Sequence, residues 1–405
     1  MKRRRFLILM LPVLYFGCGI DFSTRYDRVE ENRVRPLAFV YDNHGYAEGA
    51  PGDTVTCTAY FAGESVRSIV WTVATSLIIN QFGRDTFADT VSLDEYLVPG
   101  SYEKYFSEDR ASTDSVEFRF VLPADIIRDQ FPDNQTIADL LPAGVADSLL
   151  PEAVRTMSPS ALIDFVELFS GGNDTVSVTA LPDGALPDSV VSMLPVLLQA
   201  FTVNMKLFAR VNGTYLVEST FAVRYNTRLH RVIPDISVNR NPVIEWIRCY
   251  RVTKEQVVFD PLIDKSIVDT VFRLFPESDT ILIEPGFNYF FVADSAVASR
   301  DSAVSLTDPA LQRRIEEYSY EWFFENTGID ADPASDSLML LDNSFLGPSV
   351  TLLPSLDVSL RNFTLWLVVY DSFLGEKLRP TGFTLKSIQG TFAYSDAYAR
   401  LHKNR

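Results

Sequence analysis

The sequence predicts a mainly β protein made of two antiparallel β-sandwiches in tandem, the first carrying an α-helical insertion. Three observations predict it. Short runs of β-branched and aromatic residues alternate with polar ones at a period of two. An Asn-Gly pair stands between two such runs, the strongest local hairpin signal in the chain. The pattern of the first half also returns in the second, and a repeat that long means a duplicated domain. At 405 residues the chain exceeds one ordinary core, so two domains are expected.

Residues 1–17 read as a signal peptide. A basic patch, Lys2 to Arg5, precedes Phe6 to Phe16, eleven residues without charge. A bilayer-crossing helix needs roughly 20 apolar residues, so this run has signal-peptide length instead. With Gly17 before Cys18, the leader resembles a bacterial lipoprotein signal, which implies acylation of Cys18 and anchoring to the outer membrane or cell surface. Tyr15 and Phe16 depart from the aliphatic residues such a signal carries, and ordinary cleavage near Gly17 or Gly19 is the other reading. Arg3-Arg4-Arg5-Phe6-Leu7 also resembles a twin-arginine export motif. Residues 18–35, polar and charged, read as a tether.

The first sandwich is expected over 36–227. In "DTVTCTAYFAG", Val55, Cys57, Ala59 and Phe61 share one face, a strand with one buried side. "SIVWTVATS" follows with Trp71, then "SVEFRFVLP", and the hairpin "VNMKLFARVNGTYLVESTFAVRY" turns at Asn212-Gly213. Between about 123 and 200 the apolar spacing changes to three and four, and seven prolines fall between residues 132 and 195. Short amphipathic helices joined by turns are expected there, capping the β domain or docking a partner. Arg228 to Asn241 reads as a linker.

The second sandwich is expected over 242–398, before a tail at 399–405. "NRNPVIEWIRCYRV" answers "NRVRPLAFVYDN" of the first half. "FNYFFVADS" places Phe287, Tyr289 and Phe291 on one face, and "YSYEWFFEN" carries Trp322. "NFTLWLVVYDS" and "TGFTLKSIQGTFAY" close the unit. A helical piece is expected around "LTDPALQRRIEEYS", ahead of the Trp322 strand.

These stretches resemble bacterial immunoglobulin-like and PKD-like domains. "RPLAFVYDNHGYAEGAPGDTVTCTAYFAGESVRSIVWTVA" is similar to the opening of such a domain, and "YSYEWFFENTGI" and "FTLWLVVYDSFLGE" to its central and penultimate strands. The similarity covers about 36–76 and 203–226, then 242–252, 280–293, 318–326 and 360–395. The helical insertion departs from the pattern, as does "ENTG" where a glycine-aspartate turn is usual. The resemblance implies a non-catalytic binding, adhesion or spacer module and transfers no catalytic residue. A secreted carbohydrate-active enzyme or carbohydrate-binding accessory protein is the alternative.

Removing the four basic residues of the leader takes the net charge from −17 to −21. Such a field repels phosphate backbones, so no nucleic-acid partner is expected. An envelope protein or a glycan fits better, alongside the membrane reached through the N-terminal lipid. Cys57 and Cys249 are expected as small buried apolar residues, and a bridge between them would join two domains. No nucleophile elbow or phosphate-cradling loop appears. Of the three histidines, only His44 has neighbouring carboxylates, Asp42, Glu48 and Asp53. No cofactor is expected, except that Asp330, Asp332 and Asp336 of "GIDADPASDS" invite an irregular Ca2+ site; as an EF-hand loop they fail at Ser335 and Leu341. On the last long strand, Phe363, Leu365, Leu367 and Val369 should face the core. Trp366, Val368 and Tyr370 then form an outer row, either open for sugar rings or a protein partner, or covered by the nearby helical piece or the other domain.

Overall fold

The computed structural model describes residues 34–63, 66–77, 91–101, 103–105, 114–131, 134–140, 151–170, 201–231, 236–253, 265–284, 286–295, 302–304, 313–315, 317–326, 338–342, 349–354, 362–372 and 383–392. The signal peptide with Cys18, most of the tether, and the Asp330, Asp332 and Asp336 turn lie outside them.

Among the described residues, nine strands build the first sandwich. They are β1 (Val34–Asp42), β2 (Glu48–Gly49), β3 (Thr54–Gly63), β4 (Ile69–Leu77), β5 (Val91–Ser92), β6 (Glu103–Tyr105), β7 (Asp114–Val121), β8 (Val203–Val211) and β9 (Tyr215–Val223). One sheet has the order β1-β3-β7-β6 and the other β2-β9-β8-β4-β5, with β2 running parallel to β9. The alternation predicted for β3 holds: Val55, Cys57, Ala59 and Phe61 are each no more than 1% exposed. Trp71 packs inside against Phe118 and Phe39, at ring-centroid distances of 4.9 and 5.9 Å. The Asn212-Gly213 turn forms with φ of 49° and 74°, as a type I′ hairpin requires. The Asn212 side chain then accepts from the amides of Arg67 and Ser68, tying this turn to the entry of β4.

The second sandwich contains β10 (Ile244–Thr253), β11 (Val268–Leu274), β12 (Thr280–Ile283), β13 (Phe287–Ser295), β14 (Ser302–Val304), β15 (Arg313–Ile315), β16 (Glu317–Asn326), β17 (Leu338–Asp342), β18 (Ser349–Pro354), β19 (Asn362–Ser372) and β20 (Phe383–Phe392). Its sheets run β11-β10-β13-β18-β17 and β12-β20-β19-β16, with β12 parallel to β20. The two halves are therefore wired alike. β10, β13, β18 and β17 occupy the places of β1, β3, β7 and β6, and β20, β19 and β16 those of β9, β8 and β4. A four-stranded sheet facing one led by the last two strands is the immunoglobulin arrangement. Each half keeps its own core, one drawn from Val34 to Ile236 and the other from Ile244 to Ile388. Trp322 of β16 is buried in the second core as Trp71 of β4 is in the first. Gly390 on β20 faces Phe363 on β19, whose ring lies where a Cβ would stand, within 2.2 Å. Only glycine leaves room for that ring, and this explains a glycine in mid-strand.

The insertion departs between β7 and β8 and contains helices at Ile137–Leu140, Glu152–Arg155 and Pro159–Ser170. Ile137, Val154, Leu162, Ile163 and Val166 join the first core, so these helices extend it. Tyr225, just past β9, donates to Glu167 at 2.8 Å, and Arg128 holds Glu167 and Asp164 at 3.0 and 2.7 Å. Burial and that carboxylate contact push the Tyr225 hydroxyl pKa well up.

One expectation is corrected. Arg313–Ile315, read as part of a helix, is a strand paired antiparallel with Ser302–Val304. Three residues whose backbone groups are satisfied across a ladder have no use for helical hydrogen bonds.

Candidate interaction surface

The outer row of β19 is where the sequence placed a ligand strip, and the structure covers it. Trp366 is 8% exposed and Val368 2%; with Phe323 they pack against Leu37, Ala38 and Ala62 of the first sandwich, and half-buried Val40, Tyr60, Tyr370 and Leu385 surround them. The Trp366 indole N–H donates to the buried Glu325 at 2.8 Å, and the Tyr370 hydroxyl donates to Glu321 at 3.4 Å. A register shift between Pro36 and Ala38 lets β1 turn both Leu37 and Ala38 outward for this contact. The Arg35 guanidinium lies 4.6 Å from the Phe323 ring centroid at the same seam. The open aromatic row is thus corrected to an interdomain seam: Trp366 and Tyr370 bind the other half of their own chain. The physical reason is apolar area on the outer faces of β1 and β3, which packing against β19 removes from water.

The two main sheets of each sandwich consequently stack, with the two sandwiches packed side to side. The described residues between Arg228 and Asn241 pack on the first sandwich. Leu229 and Ile236 are buried in the first core, the Ala47 amide donates to Asn239 O at 2.9 Å, and Asn241 Nδ2 donates to Tyr41 O at 2.7 Å.

The carboxylates near His44 do not gather around it. Glu48 is fully buried and paired with Arg224, and Asp53 accepts from Asn43, the Ala50 amide and Arg228. Asp42 accepts from the Gly45 amide, and His44 is exposed with φ of 55°. Among the described residues no three His, Cys, Asp or Glu side chains form a metal-holding group. Cys57 and Cys249 are free, buried thiols whose pKa values burial pushes well up, with the charge of Glu117 adding to the effect at Cys57. No helix among the described residues is long and apolar enough to cross a membrane.

A different surface carries the features of a binding site. On β10, Ile247 and Cys249 point into the core, so Trp246, Arg248 and Tyr250 point out from the opposite sheet. The registers assemble cross-strand rows: Val271, Tyr250 and Phe290; then Arg273, Arg248 and Val292; then Trp246 beside Asp294. Asp294 organises the centre, accepting from the Trp246 indole and from Arg248, each at 2.5 Å. That bond holds the Arg248 guanidinium above its ordinary pKa against the opposing effect of burial. Arg248 also donates to the Tyr250 hydroxyl at 3.1 Å, and Tyr250 meets Phe290 edge-on at 6.3 Å. The Arg273 guanidinium carbon sits 3.5 Å from the Trp246 ring centroid and 5.5 Å from that of Phe275. Val271 and Phe275 are 51% and 50% exposed. Tyr250, Phe290 and Val292 are themselves buried, at 9%, 2% and 3% exposure, so the accessible part of this face is its β11 side, where half-buried Trp246 and Arg248 meet exposed Arg273. Trp and Arg preordered by one carboxylate and rimmed by exposed apolar side chains have the composition of protein-binding hot spots. The sequence signal was present in "EWIRCYR", where the alternate residues Trp246, Arg248 and Tyr250 mark one face.

No family model and no curated protein matches the chain. Among solved structures, one described as "Anomalous substructure of Titin-A168169" aligns over 88% of this chain and 100% of its own, at 6% identity and a TM-score of 0.14. "Protocadherin Gamma B2 extracellular cadherin domains 1-5" aligns over 92% and 78%, at 8% identity and a TM-score of 0.15. Superpositions this poor carry no argument about function, and the immunoglobulin-like assignment rests on strand order.

Proposed function

We propose that this is a non-catalytic binding protein of the bacterial cell envelope, exported by its leader, anchored through a lipid on Cys18, and engaging a protein partner with the outer face of β10 and β11 around Trp246, Arg248 and Arg273. The observation that carries the binding role is the sheet face at Trp246, Arg248 and Arg273. It is polar-organised and aromatic, and it lies on an outermost sheet of the stack, away from the interdomain seam. The side-to-side packing of the sandwiches weighs against a pure spacer, since end-to-end domains give more reach from the same chain. The leader residues Lys2 to Gly17 support export and anchoring. Intact mass of the mature protein tests the anchor: a diacylglyceryl addition on Cys18 is expected, and an unmodified terminus at another residue removes it.

The binding role is tested by installing a photocrosslinking amino acid at Val271 in cells of the source organism, with Val70 as control. Both positions are exposed, at 51% and 61%, and they lie in different sandwiches. A discrete protein adduct from position 271 that is absent from position 70 is the expected result. Identical adducts from the two positions, or none from 271, would sink the proposal; a glycan adduct would transfer the site to carbohydrate binding.

A further inference from the structure

We propose that Arg273 is the receptor for a side-chain carboxylate of a protein partner, a deeper reading that rests on the β10–β11 face being the binding surface. Arg273 stands directly opposite Arg248 across the strands. Like charges in that position repel, and a sheet normally neutralises both. Here only one is neutralised. Arg248 is paired with Asp294, and Arg251 on the same strand is paired with Asp269 and Glu284. Among the described residues Arg273 has no carboxylate: its contacts are the rings of Trp246 and Phe275. What distinguishes Arg273 is its place directly opposite another arginine and over an indole ring.

The geometry suits an incoming carboxylate. A guanidinium carbon 3.5 Å from a ring centroid lies over the ring face, so the two planes stack and the N–H edge points away from the indole. That edge presents a fork matched to the two oxygens of a carboxylate. The stack also holds the side chain before binding, which removes part of the ordering cost that a free arginine would incur. Trp246 is itself fixed by its bond to Asp294. Arg273 lies on β11, the edge strand of its sheet, and is exposed, so a partner reaches it without displacing another element. The protein's overall negative charge repels a polyanion, whereas an isolated acidic side chain on a neutral or basic protein surface meets only the local arginine.

The experiment selects random 12-residue peptides, displayed on phage as fusions with no free carboxyl terminus, against the full chain; recovered peptides are then measured by fluorescence anisotropy. Peptides that lose binding on Trp246→Ala are expected to share an Asp or Glu. Arg273→Gln should weaken them about tenfold or more, the loss of one charge-assisted bidentate contact. Arg273→Lys should recover only part of this, because it keeps the charge and lacks the fork. Changing the peptide's acid to its amide should cause a similar loss in the wild type and little further loss in Arg273→Gln. An unchanged thermal midpoint for Arg273→Gln shows that folding is intact. Trp246-dependent peptides without an acidic residue, or indifferent to Arg273→Gln, would overturn the carboxylate inference and leave the binding face standing. Recovering no Trp246-dependent peptide would overturn the face itself.

Discussion

Trp366→Ala is expected to uncouple the two sandwiches at a cost of about 3–5 kcal/mol, the range for truncating a large buried aromatic side chain. The residue sits at the centre of the seam, and its loss would leave a cavity between Leu37, Ala38 and Val368. It would also remove the donor that Trp366 supplies to Glu325, which is only 5% exposed. Wild-type protein should unfold in urea as one coupled transition, and Trp366→Ala as two, because each half retains its own core. Trp366→Phe separates the two contributions: it keeps most of the packing and should cost about 1–3 kcal/mol for the lost hydrogen bond. A single transition of unchanged midpoint in Trp366→Ala would mean that the seam contributes nothing to stability.

Arg224→Met should be comparably damaging, by about 3–5 kcal/mol, because it removes the cationic partner of a carboxylate that has no access to water. Glu48 is fully buried and the Arg224 side chain is 4% exposed. The pair closes the end of the first sandwich, where β2 runs parallel to β9 and the Arg224 amide donates to Gly49 O at 2.8 Å. Replacing both partners, Glu48→Leu with Arg224→Met, should recover much of the loss, since two apolar side chains leave no stranded charge. Denaturant midpoints of the three variants decide the matter. A double variant no better than Arg224→Met would show that the pair serves geometry beyond charge compensation.

Much of the strand pattern was legible before the structure, for a simple reason. Where one face of a strand is buried and the other wet, the alternation is written in the residues, as in Val55, Cys57, Ala59 and Phe61. Asn212-Gly213 was legible because few residues tolerate two successive positive φ values. The covered row on β19 had a signal that alternation could not resolve. "FTLWLVVY" is nearly continuous in apolar residues, the mark of a strand buried on both faces, yet nothing in those letters names what covers the second face. Arg313–Ile315 was misread because three residues carry no usable period, and only a partner strand decides their conformation. The His44 cluster dissolved for a related reason: Glu48 and Asp53 are near in sequence, but arginines from beyond β9 claim them.

By itself the sequence determined the long alternating strands such as β3, β8 and β13, the inward faces of those with one wet side, and that the pattern occurs twice, because these follow from local periodicity and turn chemistry. The tertiary structure alone decided that the outer face of β19 is spent on the first sandwich while Trp246 and Arg248 on the outer face of β10 stay partly open. That choice depends on apolar areas meeting across more than three hundred residues of chain, from Leu37 to Trp366, a distance over which no local pattern carries information.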